Sequence, residues 1–189
     1  MLKMKNDLVK YNDEELILLI SCGKRNRDDV FTEFFRRHSG RIYTYCRCMF
    51  QNTDDAKDAF QETFISFYKN IDKLQSPLNI CGYLLTIARN LCYNKIRNKK
   101  QALPVFEDTM IIDERSNYER NELFQLILSS LDLLDETFRD AFILHEIDGM
   151  SYSEISEILN IKKENAKKRV YRAKDKLINI LQPYLKELT

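Results

Sequence analysis

The segment YSEISEILNIKKENAKKRVYRAKDKL, residues 152–177, decides the fold of the chain around it. In its first half, Ile155, Ile158 and Leu159 recur at the three- and four-residue spacing of a helix. Asn160 follows, and asparagine tolerates the left-handed backbone conformation that a tight turn between helices needs. A longer stretch with helical periodicity comes next. A short helix, a tight turn and a longer basic helix together predict a helix-turn-helix.

The second helix of this unit has two chemically different faces. One narrow apolar stripe consists of Ala166, Val170, Ala173 and Leu177. The opposite face is polar, and we expect five of its side chains to contact DNA: Glu164, Asn165, Lys168, Arg169 and Arg172. In the major groove, arginine and lysine donate to guanine, asparagine pairs with adenine and glutamate accepts from cytosine. The alternative is an ordinary hairpin of amphipathic helices with a solvated polar face.

The composition extends this helical prediction to the whole chain. Of the 189 residues, 44% are hydrophobic, and only 4 are Gly and 3 are Pro, which favours helices over a turn-rich β fold. Periodicity is lost and acids accumulate over residues 101–118. We therefore predict an all-α protein with two small helical domains, residues 1–100 and 120–189, joined by a flexible linker at 101–119.

Charge is strongly segregated along the chain, although the net charge is only +1. From Lys73 to Phe106 there are six bases and no acid, and from Lys162 to Lys176 there are eight bases and two acids. Two separate basic stripes indicate two contacts with a polyanion. Two solvated helix faces are the alternative interpretation.

The segment NICGYLLTIARNLCYNKIRN, residues 79–98, lies in the first basic stripe. Its helical core stripe is Ile80, Leu84, Ile87, Ala88 and Leu91. Its other face has no acid and carries Tyr83, Thr86, Asn90, Tyr93, Asn94 and Arg97. Aromatic rings among polar donors suit unstacked nucleic-acid bases, against which they stack. Alternatively, the two tyrosines only cover neighbouring loops.

Residues 53–71 predict a third functional helix, with Thr53 as a candidate cap. Its polar face holds one branched apolar residue among acids and an amide, and we expect this face to bind a protein: Asp54, Asp55, Asp58, Gln61, Glu62 and Ile65. A single exposed isoleucine is also ordinary surface.

These segments, in this order, resemble one family. Residues 54–71, DDAKDAFQETFISFYKNI, resemble region 2.2 of the extracytoplasmic-function (ECF) sigma factors within the sigma-70 family. Residues 82–100, GYLLTIARNLCYNKIRNKK, resemble regions 2.3 and 2.4, and residues 131–181 resemble region 4. A helix-turn-helix alone is weakly specific, whereas its combination with QETF and IARN upstream is highly specific.

The resemblance implies an alternative sigma factor that binds core RNA polymerase and promoter DNA and helps to open the duplex. The acidic face around Ile65 would bind the polymerase clamp helices. The loop Leu74–Asn79 and the face from Tyr83 to Arg97 would handle the −10 element, and the helix from Lys163 would read the −35 element. The family also implies an anti-sigma partner, often membrane-anchored.

Three departures from the family pattern bear on the promoter sequence rather than on the class. Tyr83 stands where many members have Trp, and Lys162 replaces the Ser that usually caps the recognition helix. The pair Asn165–Ala166 replaces a common Thr–Val pair.

Other classes of function find little support in the sequence. It contains no P-loop and no credible nucleophile–base pair, and Cys46 and Cys48 would lie on opposite faces of a helix. We predict no enzyme activity, no cofactor and no metal. Without an 18-residue apolar run or a signal peptide, we expect a cytoplasmic protein with reduced cysteines and no membrane insertion. The competing binding module is a transcription regulator that uses only the helix-turn-helix, without polymerase.

Overall fold

A computed structural model describes the backbone of residues 5–50, 52–74, 79–101 and 118–186, which form helices and turns without a strand. The N-terminal unit contains α1 Asp13–Ser21, α2 Arg27–Met49, α3 Thr53–Asn70 and α4 Ile80–Gln101. The C-terminal unit contains α5 Tyr118–Asp132, α6 Glu136–Phe142, α7 Tyr152–Leu159 and α8 Lys163–Lys186. The predicted all-α class is confirmed. The predicted linker lies almost entirely outside the described residues, and the domain boundaries stay a prediction.

Side-chain caps explain where several helices begin. The Asn12 side chain accepts from the backbone N–H of Glu15, and the Glu15 carboxylate accepts from the N–H of Asn12, which satisfies two unpaired donors at the start of α1. Ser151 and Glu154 repeat this arrangement at α7. At α3 the expected cap was wrong: Asn52, not Thr53, accepts from the first-turn N–H groups.

An aromatic core holds α1 to α4 together. Phe34 of α2 and Phe67 of α3 are fully buried and meet edge to face with ring centroids 5.6 Å apart. Leu16 of α1 and Leu84 of α4 close the core from the other sides. Each such side chain contributes about 1.5–3 kcal/mol on burial, so this packing fixes the orientation of α3 and α4.

The helix-turn-helix forms as the sequence predicts. All four residues of the apolar stripe of α8 are buried, as are the three apolar residues of α7. Asn160 ends α7 in the left-handed conformation, with φ 51° and ψ 51°. The tight turn therefore sets α8 across α7 with its polar face outward.

A short irregular stretch joins α6 to α7. The π-helical segment Ile143–Ile147 extends α6, and the N–H of Asp148 donates to the Ile143 carbonyl oxygen at 3.0 Å. Gly149 then adopts φ 68°, which most residues with a Cβ adopt only with strain. This stretch turns Asp148 toward the N-terminal unit, where it contacts α2.

Candidate nucleic-acid interface

The outer face of α8 is one continuous exposed surface. Glu164, Asn165, Lys168 and Arg172 are exposed and Arg169 is half-buried, on the side opposite the buried stripe. The structure therefore brings all five predicted residues together. A helix with this polar face outward has the shape and the side chains that suit the major groove.

Two lysines of the basic stripe form ion pairs with acids of the protein itself. Lys174 Nζ lies 2.8 Å from a carboxylate oxygen of Glu146, and Lys176 Nζ lies 2.6 Å from one of Asp135. Both acids belong to the C-terminal unit. The bases of the predicted DNA-contacting face, Lys168, Arg169 and Arg172, lie N-terminal to these two lysines.

The predicted face of α4 has an exposed part and a half-buried part. Asn90, Asn94 and Arg97 are exposed, and an Arg97 N–H donates to Asn94 Oδ1 at 3.3 Å. Tyr83 is half-buried, with its ring centroid 6.2 Å from that of Phe67. The half-buried Thr86 donates its hydroxyl to the Gly82 carbonyl oxygen within the helix.

Tyr93 faces the C-terminal unit rather than open solvent. Its hydroxyl lies 3.2 Å from Asp140 Oδ2, and the Arg89 guanidinium lies 4.5 Å from its ring centroid. Burial raises the pKa of Tyr93, so its hydroxyl stays protonated and donates. Part of the adjoining predicted contact, residues 75–78 of the loop Leu74–Asn79, lies outside the described residues.

The acidic face of α3 is exposed beside α4. Five of its six predicted residues are exposed and Asp55 is partly buried. Lys95 Nζ of α4 lies 3.5 Å from both Asp58 and Glu62, and thus marks the border between the acidic face of α3 and the predicted face of α4. Ile65 is 53% exposed, as its position among acids predicts.

An apolar groove adjoins Ile65, and the sequence pattern does not predict it. It has a volume of about 310 Å³ and is lined by Phe31, Phe64, Ile65, Tyr68 and Lys69. Phe35 lies beside it, with its ring centroid 4.8 Å from that of Phe64. No local signal marks this groove, because aromatic residues at helical spacing normally fill a core.

The cysteines and the possible metal-ligating side chains were the other candidates for a chemical function. Burial raises the pKa of the Cys48 thiol to about 11, so this thiol is protonated at neutral pH. Among the described residues, no three histidine, cysteine or acidic side chains are grouped to hold a metal ion. No helix in the described part of the chain has the length and apolarity needed to cross a membrane.

Two family models match the chain along most of its length. The model for sigma-70 region 2 matches residues 34–102, and the model for sigma-70 region 4 matches residues 124–177. The first match contains α3 and α4, and the second contains the helix-turn-helix.

Curated relatives carry the same family description. The ECF RNA polymerase sigma factor SigE of Mycolicibacterium smegmatis is 30% identical over 162 residues, which cover 82% of this chain and 63% of that protein. The ECF RNA polymerase sigma factor SigW of Bacillus subtilis is 28% identical over 176 residues, which cover 82% of this chain and 90% of that protein.

Two solved structures share the fold. One is the sigma factor RpoE in complex with the anti-sigma factor NepR from Bartonella quintana, with a TM-score of 0.71, 24% identity and coverage of 80% of this chain and 96% of that one. The other is CnrH in complex with the cytosolic domain of CnrY, with a TM-score of 0.71, 23% identity and coverage of 90% and 97%.

The helical fold, the helix-turn-helix and the two family matches define a DNA-binding protein of the transcription-initiation class. The chain belongs to the ECF subfamily of the sigma-70 family of RNA polymerase sigma factors.

Proposed function

We propose that this protein is an alternative sigma factor with three exposed helix faces, each of which binds a different partner during transcription initiation. The face of α3 around Ile65 binds core RNA polymerase. The exposed residues of α4, with Tyr83 and Thr86 at their edge, bind the −10 element. The first half of α8 reads the −35 element.

One observation carries this proposal: an exposed acidic face on α3 lies beside an exposed face on α4 that carries amides and a base. The acids of α3 and the amides of α4 meet at Lys95. A regulator that only grips duplex DNA needs no such acidic face, because acids repel phosphates. A factor that links polymerase to DNA needs both faces side by side.

The apolar groove supports the same interpretation of α3. Exposed aromatic and aliphatic side chains inside a ring of charges are typical of the centre of a protein–protein contact. Ile65 and Phe35 flank this groove, while Asp58 and Glu62 lie on the same helix as Ile65. We infer that polymerase inserts apolar side chains here and pairs basic ones with the acids.

We also propose that the protein acts in the cytoplasm and is held inactive by an anti-sigma factor. One solved structure with the same fold is the sigma factor RpoE in complex with the anti-sigma factor NepR, and another is CnrH in complex with the cytosolic domain of CnrY. An anti-sigma factor anchored in the membrane would couple an external signal to release. Affinity purification from the native cell should recover this partner in at least one growth condition. Its absence under every condition would contradict this part of the proposal.

The test of the main proposal is reconstituted transcription. Purified protein and core polymerase are incubated with a library of genomic fragments, and the 5′ ends of the transcripts are sequenced. We expect discrete start sites that depend on the protein and share two sequence elements upstream. Duplex binding without polymerase and no new start sites would instead indicate a regulator that uses the helix-turn-helix alone.

A further inference from the structure

Lys95 continues the buried side of α4. Ala88, Cys92 and Lys95 follow one another at spacings of four and three residues, so they lie on one side of the helix. Ala88 and Cys92 are fully buried, and only 24% of the Lys95 side chain is exposed. The aliphatic stem of Lys95 therefore packs at the edge of the core, and its ammonium group reaches the surface at a defined point.

Two carboxylates of α3 meet the ammonium group at that point. Lys95 Nζ lies 3.5 Å from Asp58 Oδ2 and 3.5 Å from Glu62 Oε1. Asp58 and Glu62 are four residues apart on α3, and like charges at this spacing repel each other. One ammonium group beside both acids offsets this repulsion. The side chains of Asp58 and Glu62 are still 62% and 50% exposed, so a partner can reach them.

A second lysine near the same acids is bound differently. Lys57 Nζ lies 3.9 Å from Asp54, three residues earlier on the same helix, and the Lys57 side chain is 56% exposed. The pair between Lys57 and Asp54 therefore stays within α3, whereas Lys95 connects α3 to α4. Both lysines place one positive charge next to the acidic face, and they differ in this connection between helices.

We infer that Lys95 is a positioning residue for the face of α3 proposed to bind core polymerase. It holds Asp58 and Glu62 from the neighbouring helix, so that both carboxylates have a defined position before a partner arrives. Less side-chain freedom is then lost when basic groups of polymerase pair with them. This assignment rests on the proposed function, because it concerns the same face of α3.

Charge alone predicts the opposite effect of Lys95. Removing a cation from an acidic face makes the face more negative, and a more negative face attracts a basic partner more strongly. A lysine that only neutralises the acids would thus weaken polymerase binding, and its removal would strengthen it. A lysine that positions the acids strengthens binding, and its removal weakens it. The sign of the change therefore separates the two roles.

Titration of core polymerase with the labelled full-length protein measures this sign. Lys95→Met keeps a long apolar stem and removes the charge, and we expect it to bind roughly three- to tenfold more weakly than wild type. Lys57→Met is the matched control and should bind as tightly as wild type or more tightly. Lys95→Arg keeps a cation at this position and should restore most of the affinity. Lys95→Met that binds as tightly as wild type or more tightly would overturn the inference.

A second background separates positioning from packing of the Lys95 stem. Glu62→Gln removes one of the two carboxylates, so Lys95→Met should lose less affinity in this background than in the wild-type protein. A loss of equal size in both backgrounds would assign the effect to the stem and would also overturn the inference. Circular dichroism checks that each variant is helical, and Lys95→Gln replaces Lys95→Met if the latter is not.

The same titrations distinguish failure of this inference from failure of the proposed function. Wild-type protein that does not bind core polymerase would contradict the proposed function, and this assignment with it. Wild-type protein that binds, together with Lys95→Met of equal or higher affinity, would contradict the role of Lys95 alone.

Discussion

Ile65 is an exposed residue whose surroundings make it more than ordinary surface. Its side chain forms one wall of the apolar groove, next to Phe64 and Tyr68. Lys69 is the charged residue that lines the groove, and Asp58 and Glu62 precede Ile65 on the same helix. A partner that fills the groove gains apolar burial at its centre and charge pairing at its rim.

Replacing Ile65 by Lys should weaken binding to core polymerase at least tenfold. The change removes an apolar contact of about 1.5–3 kcal/mol and places a charge where it must lose water. Leu18→Lys is the control, because Leu18 of α1 is 50% exposed and lies outside the groove. Binding by titration with labelled polymerase should separate the two variants, and equal affinities would show that the groove is not the contact.

The side chain of Tyr83 packs against the core and is partly exposed to solvent. The ring touches Phe67 on one side, and the residue is only half-buried. An aromatic ring held in this way is pre-oriented to stack on a base that has left the duplex.

Replacing Tyr83 by Ala should slow strand opening while closed complexes still form. Stacking contributes about 1–3 kcal/mol per base and offsets the cost of unpairing. Permanganate reactivity of the −10 region measures opening, and a template already mismatched there should reduce the defect. Tyr83→Phe keeps the ring and should behave like wild type. Equal opening of duplex and mismatched templates by Tyr83→Ala would make Tyr83 a packing residue only.

At the scale of the element, different residues of α8 hold the helix in place and form the face predicted to contact DNA. The buried stripe from Ala166 to Leu177 holds the helix on α7. Lys174 and Lys176 bind acids of the same unit, and both lie C-terminal to the five residues predicted to contact DNA. Substitutions on the outer face should therefore change DNA binding without unfolding the unit.

Arg172→Ala should cost about 1–3 kcal/mol of −35 binding if the side chain reads a base edge. The loss would then be confined to the specific sequence. If Arg172 contacts phosphate, all sequences should lose affinity similarly and the salt dependence should flatten. Lys174→Ala removes the same charge from a residue tied to Glu146 and should change affinity little. Fluorescence anisotropy at several salt concentrations distinguishes these outcomes, and an unchanged Arg172→Ala would exclude this residue from the interface.

For the whole molecule, the buried Asp140 of α6 makes the packing of the two units depend on pH. Tyr45, Arg89 and Tyr93 of the N-terminal unit donate to its carboxylate. Burial raises the pKa of Asp140 above the ordinary value near 4, because three donors only partly compensate the loss of water. Burial also raises the pKa of Tyr45 and of Tyr93, and arginine keeps its charge, so Asp140 is the member of this group that titrates in mild acid.

The stabilising contribution of Asp140 should therefore be fully present below about pH 4 and decrease as pH rises through its raised pKa. Thermal unfolding of wild type and Asp140→Asn across this range measures it, because the asparagine does not titrate and other groups cancel in the difference. We expect the wild type to lose stability relative to the variant as pH increases. A difference independent of pH would show that Asp140 has an ordinary pKa.

Local sequence determined the helices, the turn at Asn160 and the outward faces of α3 and α8. Those features depend on residues three or four positions apart, so periodicity and caps are sufficient to predict them. The polar face of α4 was predictable for the same reason in its exposed part, Asn90 to Arg97.

Only the tertiary structure decided how these elements face one another. Asp140 reads as an ordinary helix acid in its local sequence, yet Tyr45 lies 95 residues and Arg89 51 residues away from it in the chain. The groove beside Ile65 likewise combines α2 and α3. Such contacts depend on how the volumes and charges of whole packed surfaces match. The periodicity of a single helix does not predict which other helix it packs against.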